Sequence, residues 1–207
     1  MTSSLCTPAG ASSLRSEADT DVVQDTVRWL ERAVIGLNLC PFAKGVHSKQ
    51  QIHYVVCRAN RAEEVLAVLE AELLALAALP AQQRDTSLLM LPDGMADFLD
   101  FNDFLDECES LLSSLGLAGV LQIASFHPQF RFAGTAEDDV GNCTNRAPYP
   151  TLHLLREESI DRAVEAFPQA EAIFERNVER LEELGMDGWT ALDVAARRAA
   201  VGEGEGV

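Results

Sequence analysis

The side chains able to do chemistry in this 207-residue chain gather in two short stretches. The first is Asn38-Leu39-Cys40-Pro41-Phe42-Ala43-Lys44, where a thiol precedes a proline. A cysteine becomes a nucleophile once a base or cation makes its thiolate. Cys40 follows a helical pattern, and the carbonyl end of a helix disfavours a thiolate, so Lys44 or a histidine would have to activate it. The second stretch runs from His127 to Pro150, about twenty residues, a length that in a compact domain suggests function. His127 is the general acid or base candidate, because imidazole titrates near neutrality. Arg146 offers a planar fork that can clamp a carboxylate or phosphate. Asn145 and Thr144 can hold a substrate beside it, and Tyr149 can donate or orient a proton. His153 lies two residues into the following strand and can approach His127. A plainer role stands beside three of these. Cys40 can be a small buried hydrophobe, His127 a strand cap, and His153 a sheet residue sharing a polar face with Thr151.

A metal is the alternative use of the histidines. His127 and His153, completed by Asp138, Asp139 or Cys143, would suit zinc or iron. No HxxxH or CxxC spacing accompanies them, so no metal ligand is assigned. Glu137-Asp138-Asp139 also reads as a solvated acidic turn. Cys6, Cys40, Cys57, Cys108 and Cys143 are odd in number and irregular in spacing, which is not a disulfide framework.

The elements that must position these residues follow from periodicity. Asp21-x-x-Gln24 has the form of a capping box, and Val23, Val27, Leu30, Val34 and Leu37 continue at helical spacing toward Pro41. Gln51–Cys57 alternates as a strand. A second helix spans Val65 to Leu79, capped from Asn60. Ser87–Leu91 is a short buried strand, and Phe98 to Leu115 is a helix stopped near Gly116. Val120–Phe126 and Thr151–Leu155 are the remaining strands. A helix capped by Ser159 follows, Pro168 interrupts it, and a last helix runs from about Ala170 to Leu184 with a stop at Gly185. Two βαβ units call for right-handed crossovers and three parallel strands, with the fourth returning antiparallel beside the third. The expected fold is α/β: a mixed four-stranded sheet, three strands parallel and one antiparallel, covered by about five helices. Ligands bind beyond the carboxyl ends of parallel strands, which places the candidate residues at one sheet edge.

Composition bounds the rest. Asp plus Glu total 33 against 16 Lys plus Arg, a formal net charge of -17. Such a chain repels phosphate backbones and anionic lipid, so neither nucleic acid nor membrane is an expected partner. No apolar run approaches the roughly 20 residues of a membrane span. Residues 1–20 have no apolar leader region and read as a disordered tail. Residues 21–185 read as one domain, and residues 186–207 as a flexible acidic tail. With no disulfide framework and no leader region, the default compartment is the cytoplasm, where thiols stay reduced. No residue pattern designates a cofactor or an oligomeric state.

Three strings carry a resemblance: Leu39-Cys40-Pro41-Phe42-Ala43, Ser125-Phe126-His127-Pro128, and Thr144-Asn145-Arg146-x-Pro148-Tyr149-Pro150-x-Leu152-His153-Leu154-Leu155-Arg156. Together they resemble the bacterial family catalogued as domain of unknown function 1415, over roughly Val22 to Leu184. The resemblance implies membership and domain extent. It implies no activity, substrate or cofactor. It also implies an aromatic residue where this chain has Cys143, which makes that thiol a poor obligatory nucleophile or ligand. The residues themselves suggest an enzyme acting on a small polar or anionic metabolite, with His127, Cys40 and Tyr149 catalytic. Arg146, Asn145, Thr144 and His153 would then bind the substrate. A non-catalytic domain that binds a ligand or a basic protein is the other reading.

Overall fold

A computed structural model describes residues 16–166 and 172–197. The expected interruption at Pro168 lies outside those residues. The first helix, α1 (Glu17–Trp29), starts four residues before Asp21. The Ser16 side chain caps it, accepting from the Asp19 N–H at 3.1 Å. Beyond Trp29 the helix widens into a π turn, Leu30–Ile35. It closes in a Schellman motif: Leu39 N–H donates to Val34 O at 2.9 Å and Asn38 N–H to Ile35 O at 3.1 Å. Asn38 supplies the left-handed residue that motif requires, with φ 57°. This turn presents Leu39-Cys40-Pro41-Phe42 to the short helix α2 (Ala43–Ser48).

Strand β1 (Ile52–Val56) leads into α3 (Ala62–Ala78), and β2 (Thr86–Met90) into α4 (Phe98–Ser114). Val65, Leu69, Leu73 and Leu76 repeat every three to four residues on α3 and are completely buried. On α4, Phe101, Phe104, Cys108 and Leu112 do the same, under a cap in which Asp97 accepts from the Leu99 and Asp100 N–H groups. Strand β3 (Leu121–Phe126) ends at His127, a 3-10 turn spans Val140–Asn145, and β4 (Thr151–Arg156) runs directly into α5 (Glu157–Ala166). Helix α6 (Ile173–Ala191) does not stop at Gly185; it kinks there, at φ 67° and ψ 171°. The described residues thus hold six α-helices, more than the five expected.

The sheet order is β1-β2-β4-β3. Only β1 and β2 pair in parallel, which corrects the expectation of three parallel strands. Strand β4 does lie antiparallel beside β3, but it also fills the place between β3 and β2 and pairs antiparallel with both. The physical reason lies in β4 itself. Leu152 and Leu154 are completely buried on one face while Thr151 is buried on the other, so the strand needs cover on both faces and neighbours on both edges.

Alternation sorts the sheet into two faces. One carries Leu89, Leu152 and Leu154 and packs on α3 and α4 in the main core. The other carries the aligned row Tyr54, Leu88, His153, Ala124 and faces α1 and its π turn. Arg156, at the end of β4, donates to the carbonyls of Leu76, Leu79 and Arg84, which satisfies the C-terminal end of α3. The segment after α6 lies against α1. Arg28 donates to the carbonyls of Asp193 (2.7 Å) and Ala195 (2.8 Å), and buried Val194 packs with Trp29.

Candidate functional site

A cavity of about 330 Å³ lies on the second sheet face. Its floor is β-sheet: Ile52, Thr86, Leu88, Gln122, Ala124, Phe126, His153 and Leu155. Trp29, Leu30 and Val34 form one wall, and Cys40, Phe42, Ala43 and Val46 follow from the Schellman turn and α2. Ser159, Ile160 and Ala163 of α5 complete it, with Asp85 at the sheet end. Its size is within the range of small-molecule sites, and like them it is mainly apolar with a few polar groups.

Those polar groups differ in what they already bond. Thr86 Oγ1 donates to Leu154 O at 2.6 Å, and Ser159 Oγ donates to Asp85 Oδ1 at 2.6 Å. Neither His153 nor Gln122 has a side-chain hydrogen bond among the described residues. His153 meets the Phe126 ring at a centroid distance of 6.0 Å. Burial among apolar neighbours pushes its pKa down to about 4. The ring is therefore neutral near pH 7, with one N–H to give and one nitrogen to accept. Burial also raises the pKa of the Cys40 thiol, against weaker opposing bonds from the Phe42 and Ala43 backbone, so the thiol stays protonated near neutral pH.

The other sequence candidates lie elsewhere. His127 sits on the opposite side of the sheet, against Phe101 at 5.3 Å and Phe98 at 5.5 Å, and is only 1% exposed. Both its ring nitrogens are engaged. Gln129 N–H donates to Nδ1 at 3.0 Å, so Nε2 carries the proton and donates to Met95 O at 3.0 Å. Burial lowers its pKa as well. Met95 has φ 56°, so this bond fixes a left-handed residue in the turn before α4. His127 and His153 are consequently not brought together. Among the described residues no group of three or more His, Cys, Asp or Glu could hold a metal ion.

The donor-rich loop spends its donors on itself. Arg146 donates to Phe130 O at 3.3 Å and Glu137 O at 2.7 Å. Thr144 Oγ1 donates to Gly141 O at 2.9 Å, and Asn145 Nδ2 to Ser125 O at 3.3 Å. Asn142, completely buried, accepts from Phe132 N–H and Thr135 Oγ1 and donates to Ala136 O. Tyr149 Oη donates to Asp25 Oδ2 at 2.9 Å, and burial, then Asp25, raises the phenol pKa. Asp25 also pairs with Arg28 at 2.7 Å and accepts the Arg197 N–H at 2.8 Å. Of the seven residues first singled out, the cavity takes in Cys40 and His153. Sequence reasoning missed Gln122, whose signal was a lone amide in the otherwise apolar run Val120-Leu121-Gln122-Ile123-Ala124.

The model of a protein family described as "protein of unknown function (DUF1415)" matches residues 21–191. The chain belongs to this DUF1415 family. The match runs from within α1 to the end of α6 and takes in the three strings read from the sequence. No curated protein and no solved structure matches. In this DUF1415 chain, the string around Cys40 forms a wall of the cavity. His127 turns to the opposite face, the segment 146–149 packs beside Trp29 and α1, and the third string's His153 lies on the cavity floor.

Proposed function

We propose that this DUF1415 protein binds a small molecule in the cavity between the sheet, the π turn and α5. One observation carries the reading: an apolar cavity of about 330 Å³ whose floor holds His153 and Gln122 without side-chain partners among the described residues. Polar groups in an apolar setting are normally bonded. The side-chain atoms of His153 and Gln122 are reachable from the cavity, so a ligand with matching donors and acceptors can take the place of water on them.

The reading is of a ligand site on the sheet face, and it differs from an anionic metabolite held at the carboxyl edge. Arg146, Asn145 and Thr144 act as loop-building groups, and His127 as a pin for the turn at Met95. Cys40 serves as an apolar wall, since burial outweighs the backbone bonds from Phe42 and Ala43 that would favour a thiolate.

Intrinsic fluorescence tests the reading. The chain has two tryptophans, and Trp29 lines the cavity. In a Trp189→Phe background, saturable change of the Trp29 emission is expected on titration with small two-ring aromatics. Ala124→Phe fills the floor and should abolish the response while circular dichroism stays native. A response that survives this filling would place binding elsewhere and end the proposal.

A further inference from the structure

This inference rests on the cavity reading above and concerns the class of ligand. We infer that the ligand is an uncharged, planar, two-ring heteroaromatic molecule whose polar edge bonds both His153 and Gln122.

Size gives the two rings. A dry cavity of about 150 Å³ accepts one benzene, and this one is about 330 Å³. Lining gives the planarity. The floor is pleated sheet and includes the Phe126 ring, and Trp29 and Phe42 stand among the wall residues. Flat rings gain offset and edge-on contacts with such walls.

Charge gives the neutrality. Among the described lining residues there is no Lys or Arg to meet an anion. The one carboxylate, Asp85, already accepts from Ser159 and interacts with Arg156, so it does not call for a cation. An anion would lose its hydration with no opposite charge to replace it, and a cation would meet only a carboxylate that is already engaged.

Register gives the polar edge. His153 stands opposite Ala124, and Gln122 is two residues along the same strand, so the two side chains are diagonal neighbours on one face. Such neighbours are about 7–8 Å apart at the backbone, within joint reach of one ring edge. Neutral imidazole and amide each offer a donor and an acceptor, which matches a lactam or similar edge with both.

Isothermal calorimetry with three probes decides the matter. Quinolin-2-one has the neutral edge, quinoline-2-carboxylate carries a charge instead, and naphthalene has neither. Quinolin-2-one should bind at least tenfold more tightly than the carboxylate. Gln122→Leu and His153→Phe should each weaken quinolin-2-one at least fivefold and leave naphthalene within twofold. Equal or tighter binding of the carboxylate overturns the ligand class, as does unchanged quinolin-2-one binding in folded Gln122→Leu, yet both leave the cavity reading standing. If none of the three probes binds, the cavity reading itself falls.

Discussion

At the scale of single residues, the two histidines look alike in sequence and behave differently in the fold. His127 has its ring nitrogens committed to Gln129 N–H and Met95 O, so its removal strands two backbone groups. His127→Ala should lower unfolding free energy by about 2–4 kcal/mol, measured by urea titration. Binding of a two-ring probe at a temperature where this variant is folded should be unaffected. His153 has the opposite profile: it is unbonded among the described residues and its pKa is lowered to about 4 by burial. An unfolded chain holds that imidazole near its ordinary pKa of about 6.5. Above pH 6.5 both states are neutral and His153 adds no pH dependence. As pH falls from about 6.5 to about 4 the unfolded state gains the proton first, so stability is lost through that window. The loss has an upper bound of about 3–4 kcal/mol. In stability measured between pH 4 and 7, His153→Phe should flatten that part of the slope. The residue types were legible in the sequence, but what each ring bonds was not. Bonds to backbone at Met95, 32 residues away, leave no mark on local periodicity.

At the scale of elements, periodicity and punctuation carried most of the information. All four strands were expected within a residue or so of their places, because β-branched and apolar runs stand out, with β2 and β3 also stopped by Pro92 and Pro128. Strand order was not legible. Nothing local in Thr151–Arg156 states that it enters the middle of the sheet, and the cavity floor depends on that insertion. The start of α1 was also missed, since Ser16 with Asp19 outcompeted Asp21 with Gln24 as the cap. The turn that delivers Cys40 and Phe42 to the cavity depends on Asn38 at φ 57°. A β-carbon in the left-handed region costs roughly 1–2 kcal/mol, a cost that Asn tolerates best and Gly avoids. Asn38→Val should therefore lower stability by about 1–2 kcal/mol, while Asn38→Gly should be close to neutral. Thermal unfolding of the two variants side by side checks this.

At the scale of the whole molecule, one sheet separates two jobs. The face toward α3 and α4 is closed by leucine and phenylalanine and holds the fold together. The face toward α1 and α5 keeps open space. Helix α1 is fixed in part by the chain that follows α6. Asp25, 2% exposed, binds Arg28, Tyr149 and the Arg197 N–H, while Arg28 and Arg32 hold the carbonyls from Leu192 to Ala195. Arg28→Met would leave Asp25 buried without its cation and should cost about 3–5 kcal/mol in urea unfolding. Net charge, by contrast, speaks to partners and not to this architecture. The central claim is that ligand chemistry belongs to His153 and not to His127, and nitrogen-15 NMR of the four labelled histidines tests it most directly. On addition of quinolin-2-one, the ring nitrogens of His153 should shift in a saturable way while those of His127 stay unchanged. A saturable shift at His127 with none at His153 would contradict the claim.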